Sequence, residues 1–132
     1  MSINNTRIKL WTEEAERLLG TYHKLISDFN LSLTSMNSGR ISFSNGSLNF
    51  NFIYAYDRYQ IDVVMPMAFI SISNQEGFEK NIFELIQKLH PDIDIYDEFG
   101  QLNIKHQDHD LSLITLIEKY LYELIQSEEI LR

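Results

Sequence analysis

Between Leu31 and Ser73 the apolar residues of this chain alternate with polar ones, whereas on either side they recur at three- and four-residue steps. A period of two belongs to half-buried strands and a period near 3.6 to amphipathic helices. The chain must therefore combine a helix, then a run of strands, then more helices, which is an α+β order. The strand region is also the most demanding part. Leu48, Phe50, Phe52, Tyr54 and Tyr56 share one face, while Asn49, Asn51 and Ile53 share the other. A sheet face carrying that much aromatic surface has to be covered, and helices from both ends are available to cover it.

The strand boundaries follow from turn chemistry. Leu31 and Leu33 alternate up to Asn37-Ser38-Gly39, and Ile41 and Phe43 alternate up to Asn45-Gly46. Asn-Gly is a strong hairpin signal because a type I′ turn needs positive φ at both central residues. Asp57-Arg58 reads as a second short turn, followed by Tyr59, Ile61, Val63 and Met65 on one face. Pro66 interrupts the ladder, and Met67 to Ser73 reads as a further strand. The expectation is an antiparallel meander of four to five strands.

Before the sheet, Trp11, Ala15, Leu18, Leu19, Tyr22, Leu25, Ile26 and Phe29 form a helical stripe, with Glu13, Glu14, Glu16, Arg17 and Lys24 on the other face. Thr12 can cap this helix, a start near Asn5 fits equally well, and Asn30 is a natural stop. After the sheet, Ser73-Asn74-Gln75-Glu76 has the form of a capping box, followed by Phe78, Ile82, Leu85, Ile86 and Leu89. Glu76, Lys80, Glu84 and Lys88 form a stripe of alternating sign, and Pro91 ends that helix. Residues 92–109 are the least regular stretch, with Ile93/Ile95 and Leu102/Ile104 as short strands about a turn at Gly100. Asp108 or Asp110 then caps a last helix to about Glu129. Its broad apolar arc of Leu113, Ile114, Ile117, Leu121, Leu124 and Ile125 predicts burial on more than one side. The predicted architecture is one domain, 1–132, with an N-terminal helix, the meander, and two C-terminal helices covering one face.

Composition narrows the function classes. At 132 residues and 44% hydrophobic, the chain can bury a real core and does not have a disordered composition. It has no cysteine, which excludes disulfides, thiol catalysis and thiolate zinc sites. No run approaches the roughly 20 apolar residues that span a bilayer, and residues 1–6 lack a secretory pattern. The expected setting is cytoplasmic, without membrane contact. The whole net charge of −8 lies in residues 74–132, where thirteen acids face five bases, while residues 1–73 balance six against six. Such a surface repels nucleic acid and steers cationic partners inward.

The excess is sharpest at Asp92, Asp94, Asp97, Glu98, Asp108 and Asp110, against Lys105 alone. These six acids are the predicted contact surface for a basic protein partner. Exposed acids are also ordinary on protein surfaces, and the spacing does not fit a twelve-residue calcium loop. Tyr59, beside the Asp57-Arg58 turn, is a candidate interface anchor, since tyrosine is enriched at binding hot spots. The cluster His106, Asp108, His109 and Asp110 holds metal-capable and acid–base groups, and supports an alternative reading as a metal-dependent or acid–base enzyme. No nucleophile elbow, phosphate loop or Ser/His/Asp set is present, so the main expectation is not an enzyme and requires no cofactor and no metal. The apolar arc of residues 111–125 suggests, as a further alternative, a homodimer.

The leading helix, a meander containing Tyr56-Asp57-Arg58-Tyr59-Gln60-Ile61-Asp62-Val63, and closing helices resemble small acidic bacterial immunity proteins encoded beside polymorphic toxins. That resemblance is one of layout. It implies a protein that blocks a toxin by binding it, often a basic nuclease, and gives no individual residue a role. Size and acidity also resemble the dimeric secretion chaperones of the type III class, which bind an extended segment of an effector.

Overall fold

A computed structural model describes residues 3–37, 39–54 and 68–127. The chain begins with α1 (Ile3–Thr21) and α2 (His23–Asp28), which are nearly continuous: the Tyr22 N–H donates to Leu18 O at 2.8 Å and the Ile26 N–H to Tyr22 O at 2.9 Å. Asn30 ends the pair in the left-handed region, at φ 54°, and the Leu31 N–H returns to Ile26 O at 2.9 Å. This is the stop expected of an asparagine, whose short polar side chain tolerates that conformation.

Five strands follow, β1 (Ser32–Asn37), β2 (Arg40–Ser44), β3 (Leu48–Tyr54), β4 (Ala68–Asn74) and β5 (Glu79–Asn81). They form one antiparallel sheet in sequence order, so the meander is observed. The register pairs Ile41 with Phe52, Phe43 with Phe50, and Phe52 with Ile70, which puts all of these on one face. The Asn45-Gly46 hairpin is present, but positive φ falls on Gly46 alone, at 91°. It is therefore not the type I′ turn. Asn45 instead accepts from the N–H groups of Ser47 (2.9 Å) and Leu48 (3.0 Å) through its Oδ1. The Asp57-Arg58 turn, the strand from Tyr59 to Met65, and Pro66 lie outside the described residues.

The aromatic face of β3 meets α1 and α2 ring by ring. Trp11 packs edge-on against Tyr54 at 5.2 Å, Tyr22 against Phe52 at 4.8 Å, and Phe29 stacks on Phe50 at 6.2 Å. Such pairs add to the burial of the rings themselves. The opposite face carries Ile53 and Phe69 at one end and small polar residues along the rest. Ser42 donates to Asn51 Oδ1 at 2.7 Å, and Asn51 Nδ2 donates to Ser73 Oγ at 3.0 Å and Ser71 Oγ at 3.3 Å. Asn51 is buried with its amide satisfied across three strands.

The C-terminal half departs from the sequence expectation at two points. Ser73 does not cap a helix, because its backbone pairs with Asn49 on one side and Glu79 on the other. Asn74 Oδ1 instead accepts from the N–H groups of Glu76 (3.0 Å) and Phe78 (3.1 Å), turning the chain into β5. The helix α3 (Ile82–Leu89) starts later, capped by Asn81, which accepts from the Phe83 N–H at 2.8 Å. Glu76 and Lys80 consequently lie outside it. Residues 95–106, expected as strands, form the helix α4 (Ile95–His106). The spacing of two in Ile93/Ile95 and Leu102/Ile104 mimics strands. The deciding set is Ile95, Phe99 and Leu102, spaced four and three, which packs on the core while Gly100 sits in mid-helix.

Asp108 caps α5 (His109–Tyr120), accepting from the Leu111 N–H at 3.1 Å. The chain bends at Leu121 into α6 (Tyr122–Ser127). Among the described residues four helical segments follow the sheet, the additional ones being α4 and the piece beyond the bend at Leu121. Leu113, Leu116, Ile117, Leu121 and Ile125 are all buried within the chain itself. The bend at Leu121 lets these residues of the broad arc pack internally, while Leu111 stays 41% exposed and Ile114 is only partly buried. No helix among the described residues is long and apolar enough to cross a membrane.

Candidate interaction surface

The acids of 92–110 do four different jobs. Asp94 caps α4, accepting from the N–H groups of Tyr96 (3.1 Å) and Asp97 (3.2 Å). Asp97 accepts from Gln101 one turn on, at 2.9 Å. Glu98 points back to α5, where it accepts from Lys119 Nζ at 2.8 Å and from the Tyr120 hydroxyl at 2.6 Å. Burial works to raise its pKa, but the bonds from Lys119 and Tyr120 outweigh it and hold Glu98 below the usual carboxylate value. Asp92, Asp94, Asp97 and Asp108 are exposed.

Asp110 leaves this surface altogether. It is buried, and its carboxylate accepts from Arg17 NH1 at 2.7 Å and from the Tyr22 hydroxyl at 2.8 Å. The same guanidinium forks onto Glu14, donating from Nε and NH2 at 2.7 Å each, and the Tyr54 hydroxyl donates to Glu14 as well. The network thus joins α1, Tyr22 between α1 and α2, β3 and α5. The bond from Glu14, then the contact with Asp110, holds the guanidinium firmly protonated against the opposing effect of burial. Burial first, and then the carboxylates they bond, push the phenols of Tyr22 and Tyr54 far above the ordinary tyrosine range. Every carboxylate oxygen in the cluster already accepts a hydrogen bond. Its chemistry is that of a fastener between elements, with no carboxylate left open as a base.

The helical period places Glu14 and Arg17 on the solvated face of the first helix, and the structure corrects this for Glu14, which is buried. The signal was present, since Glu14 lies three after Trp11 and four before Leu18, inside the apolar stripe. The histidine cluster also separates. His106 ends α4, Asp108 caps α5, His109 lies against Phe99 and Phe69 with ring centroids at 5.4 Å and 6.0 Å, and Asp110 turns to Arg17. Among the described residues no three His, Asp or Glu side chains converge as metal ligands. Tyr59 lies outside the described residues.

What the sequence reading missed is the apolar content of α4. Only Ile95 of its twelve residues is buried. Tyr96 is 67% exposed and Ile104 79% exposed. They stand eight residues apart, two helical turns, on the same outward stripe as Gly100, with Asp97, Gln101 and Lys105 exposed beside them. The helix is nonetheless firmly seated. Phe83 contacts Tyr96 at 5.5 Å and Phe99 at 5.0 Å, and Phe69, itself exposed, contacts Phe83 at 6.0 Å. The Gln87 amide pins the preceding acidic loop, donating to Ile93 O at 2.6 Å and accepting from the Ile95 N–H at 3.2 Å.

Comparisons with protein-family models, with curated proteins and with solved structures found no match.

Proposed function

We propose that this chain is a non-enzymatic protein-binding module that engages a basic protein through α4 and the acidic loop before it. The observation that carries this reading is that Tyr96 and Ile104, both largely exposed, share α4 with exposed Asp97, while exposed Asp92 and Asp94 lie just before the helix start. Aromatic and aliphatic anchors at the centre of a patch, with charges at its rim, are the anatomy of a binding site. The acids supply steering and partner choice, and the apolar side chains supply the area removed from water. The layout resemblance to immunity proteins suggests a toxin as the partner.

The test is the association rate with the protein product of the neighbouring gene, measured by stopped flow. Raising salt from about 0.05 M to 0.5 M shortens the screening length severalfold, so the rate should fall by about tenfold or more. Reversing two acids in D92K/D97K should slow it further. A rate that is constant across that range, in complex formation that does occur, would remove the electrostatic basis of the reading.

A further inference from the structure

Gly100 stands in the middle of α4, where glycine weakens a helix roughly fivefold in its folding equilibrium relative to alanine. Neither of the usual internal reasons for a glycine applies here. Its φ is not in the positive region, and a Cβ built on it meets no described atom within 4 Å. The residues four before and four after it on the same stripe are Tyr96 and Ile104, both strongly exposed. The outcome is a notch between two apolar posts, with exposed Asp97 at a neighbouring position of the helix and exposed Asp92 and Asp94 before the helix start.

We infer that the notch at Gly100 is the seat of a basic amphipathic helix of a partner protein, whose backbone crosses α4 there. This rests on the partner-binding reading above and specifies its contact point. Glycine on one helix lets another come close, because no Cβ separates the backbones. Tyr96 and Ile104 then close on an apolar residue of the incoming helix from either side. Lysine or arginine flanking that residue meets Asp97 on one border and Asp92 and Asp94 beyond the helix start. A second copy of this chain fits less well, since it would bring the same exposed acids, Asp92, Asp94 and Asp97, together with only Lys105 on each helix to offset them.

The experiment uses the full chain, isotopically labelled, and a synthetic helical peptide of about 14 residues with one leucine stripe flanked by lysines and arginines. A peptide with the same stripe and glutamates in place of the bases is the control. The basic peptide should bind saturably, with the largest NMR shift changes at Tyr96, Gly100 and Ile104, and the acidic one should not bind. Gly100→Ala should raise the melting temperature by about 3 °C, since it relieves the helix without a clash. It should also weaken peptide binding about tenfold, and Gly100→Met more. Gly20→Ala, in α1 and equally open, should leave binding unchanged. Peptide binding that is indifferent to Gly100→Ala overturns the notch while leaving the acidic surface standing. Shift changes confined to carboxylate residues do the same. Failure of both peptides to bind overturns the notch as well, whereas the partner-binding reading is judged by the salt dependence of the natural complex. A dimer seen by sedimentation at micromolar concentration, and dissolved by Gly100→Met, would assign the notch to a second copy instead.

Discussion

Replacing Arg17 with methionine isolates the buried ion network, because methionine keeps much of the side-chain length and removes the charge. Arg17 donates three hydrogen bonds of 2.7 Å to two carboxylates. Its own side chain is 37% exposed, but the acids it serves are not: Glu14 is 9% exposed and Asp110 10%. Removing one member of a buried ion pair costs about 3 to 5 kcal/mol, mostly because the remaining charge is stranded away from water. Screening around the partly exposed guanidinium places Arg17→Met near the lower end, at about 3 kcal/mol. Arg40 provides the comparison. It is 39% exposed, much like Arg17, but its partner Glu79 is 34% exposed and can return to water. Arg40→Met should therefore cost less than about 1 kcal/mol. Urea unfolding followed by circular dichroism at pH 7 measures both. With a slope of about 2 kcal/mol per molar, Arg17→Met moves the midpoint down by about 1.5 M and Arg40→Met by less than 0.5 M. Equal shifts for the two variants would refute the reasoning, since they would mean that the burial of Glu14 and Asp110 has no energetic consequence.

Two further outcomes follow from the same contacts. The raised phenols of Tyr22 and Tyr54 mean that the folded state holds protons that the unfolded chain releases near pH 10. Stability is then complete below about pH 10 and falls as pH rises, by up to about 1.4 kcal/mol per pH unit for each tyrosine; urea midpoints between pH 8 and 11.5 check this, Tyr22→Phe should make the slope shallower, and a flat profile to pH 11 would contradict it. Asp94 serves as cap and as surface charge, and two substitutions separate these roles: Asp94→Ala should lose about 1 kcal/mol of stability, while Asp94→Asn should keep most of it and slow association with the partner. If Asp94→Asn associated as fast as the parent chain, that carboxylate would have no part in steering.

How much of the molecule is legible in its residues depends on whether a local pattern had competitors. The meander was legible because Leu48, Phe50, Phe52 and Tyr54 alternate without ambiguity, and their observed burial follows that alternation. The first helix and its stop at Asn30 were legible for the same reason. The helix α4 was not, because Ile93/Ile95 and Leu102/Ile104 satisfy a period of two as well as part of a helical period. Ser73 was misread for a related reason: a capping-box spelling is local, and strand pairing on both sides of Ser73 overrides it. The acidic surface was visible as composition. Its division into caps, an ion pair, a buried fastener and exposed charges was not.

The α+β order, the aromatic face that helices must cover, and the acidic excess of residues 74–132 can be read from the residues alone. These follow from period, side-chain size and charge count, which need no knowledge of distant neighbours. That Asp110 turns inward to Arg17, 93 residues away along the chain, and that Tyr96 and Ile104 remain outside, emerges from the packing of the elements. Burial depends on which elements meet, and that is set by the joint packing of α1, β3 and α5. The same carboxylate is an exposed charge at Asp97 and a structural anchor at Asp110, and what separates them is the position of one guanidinium on another helix.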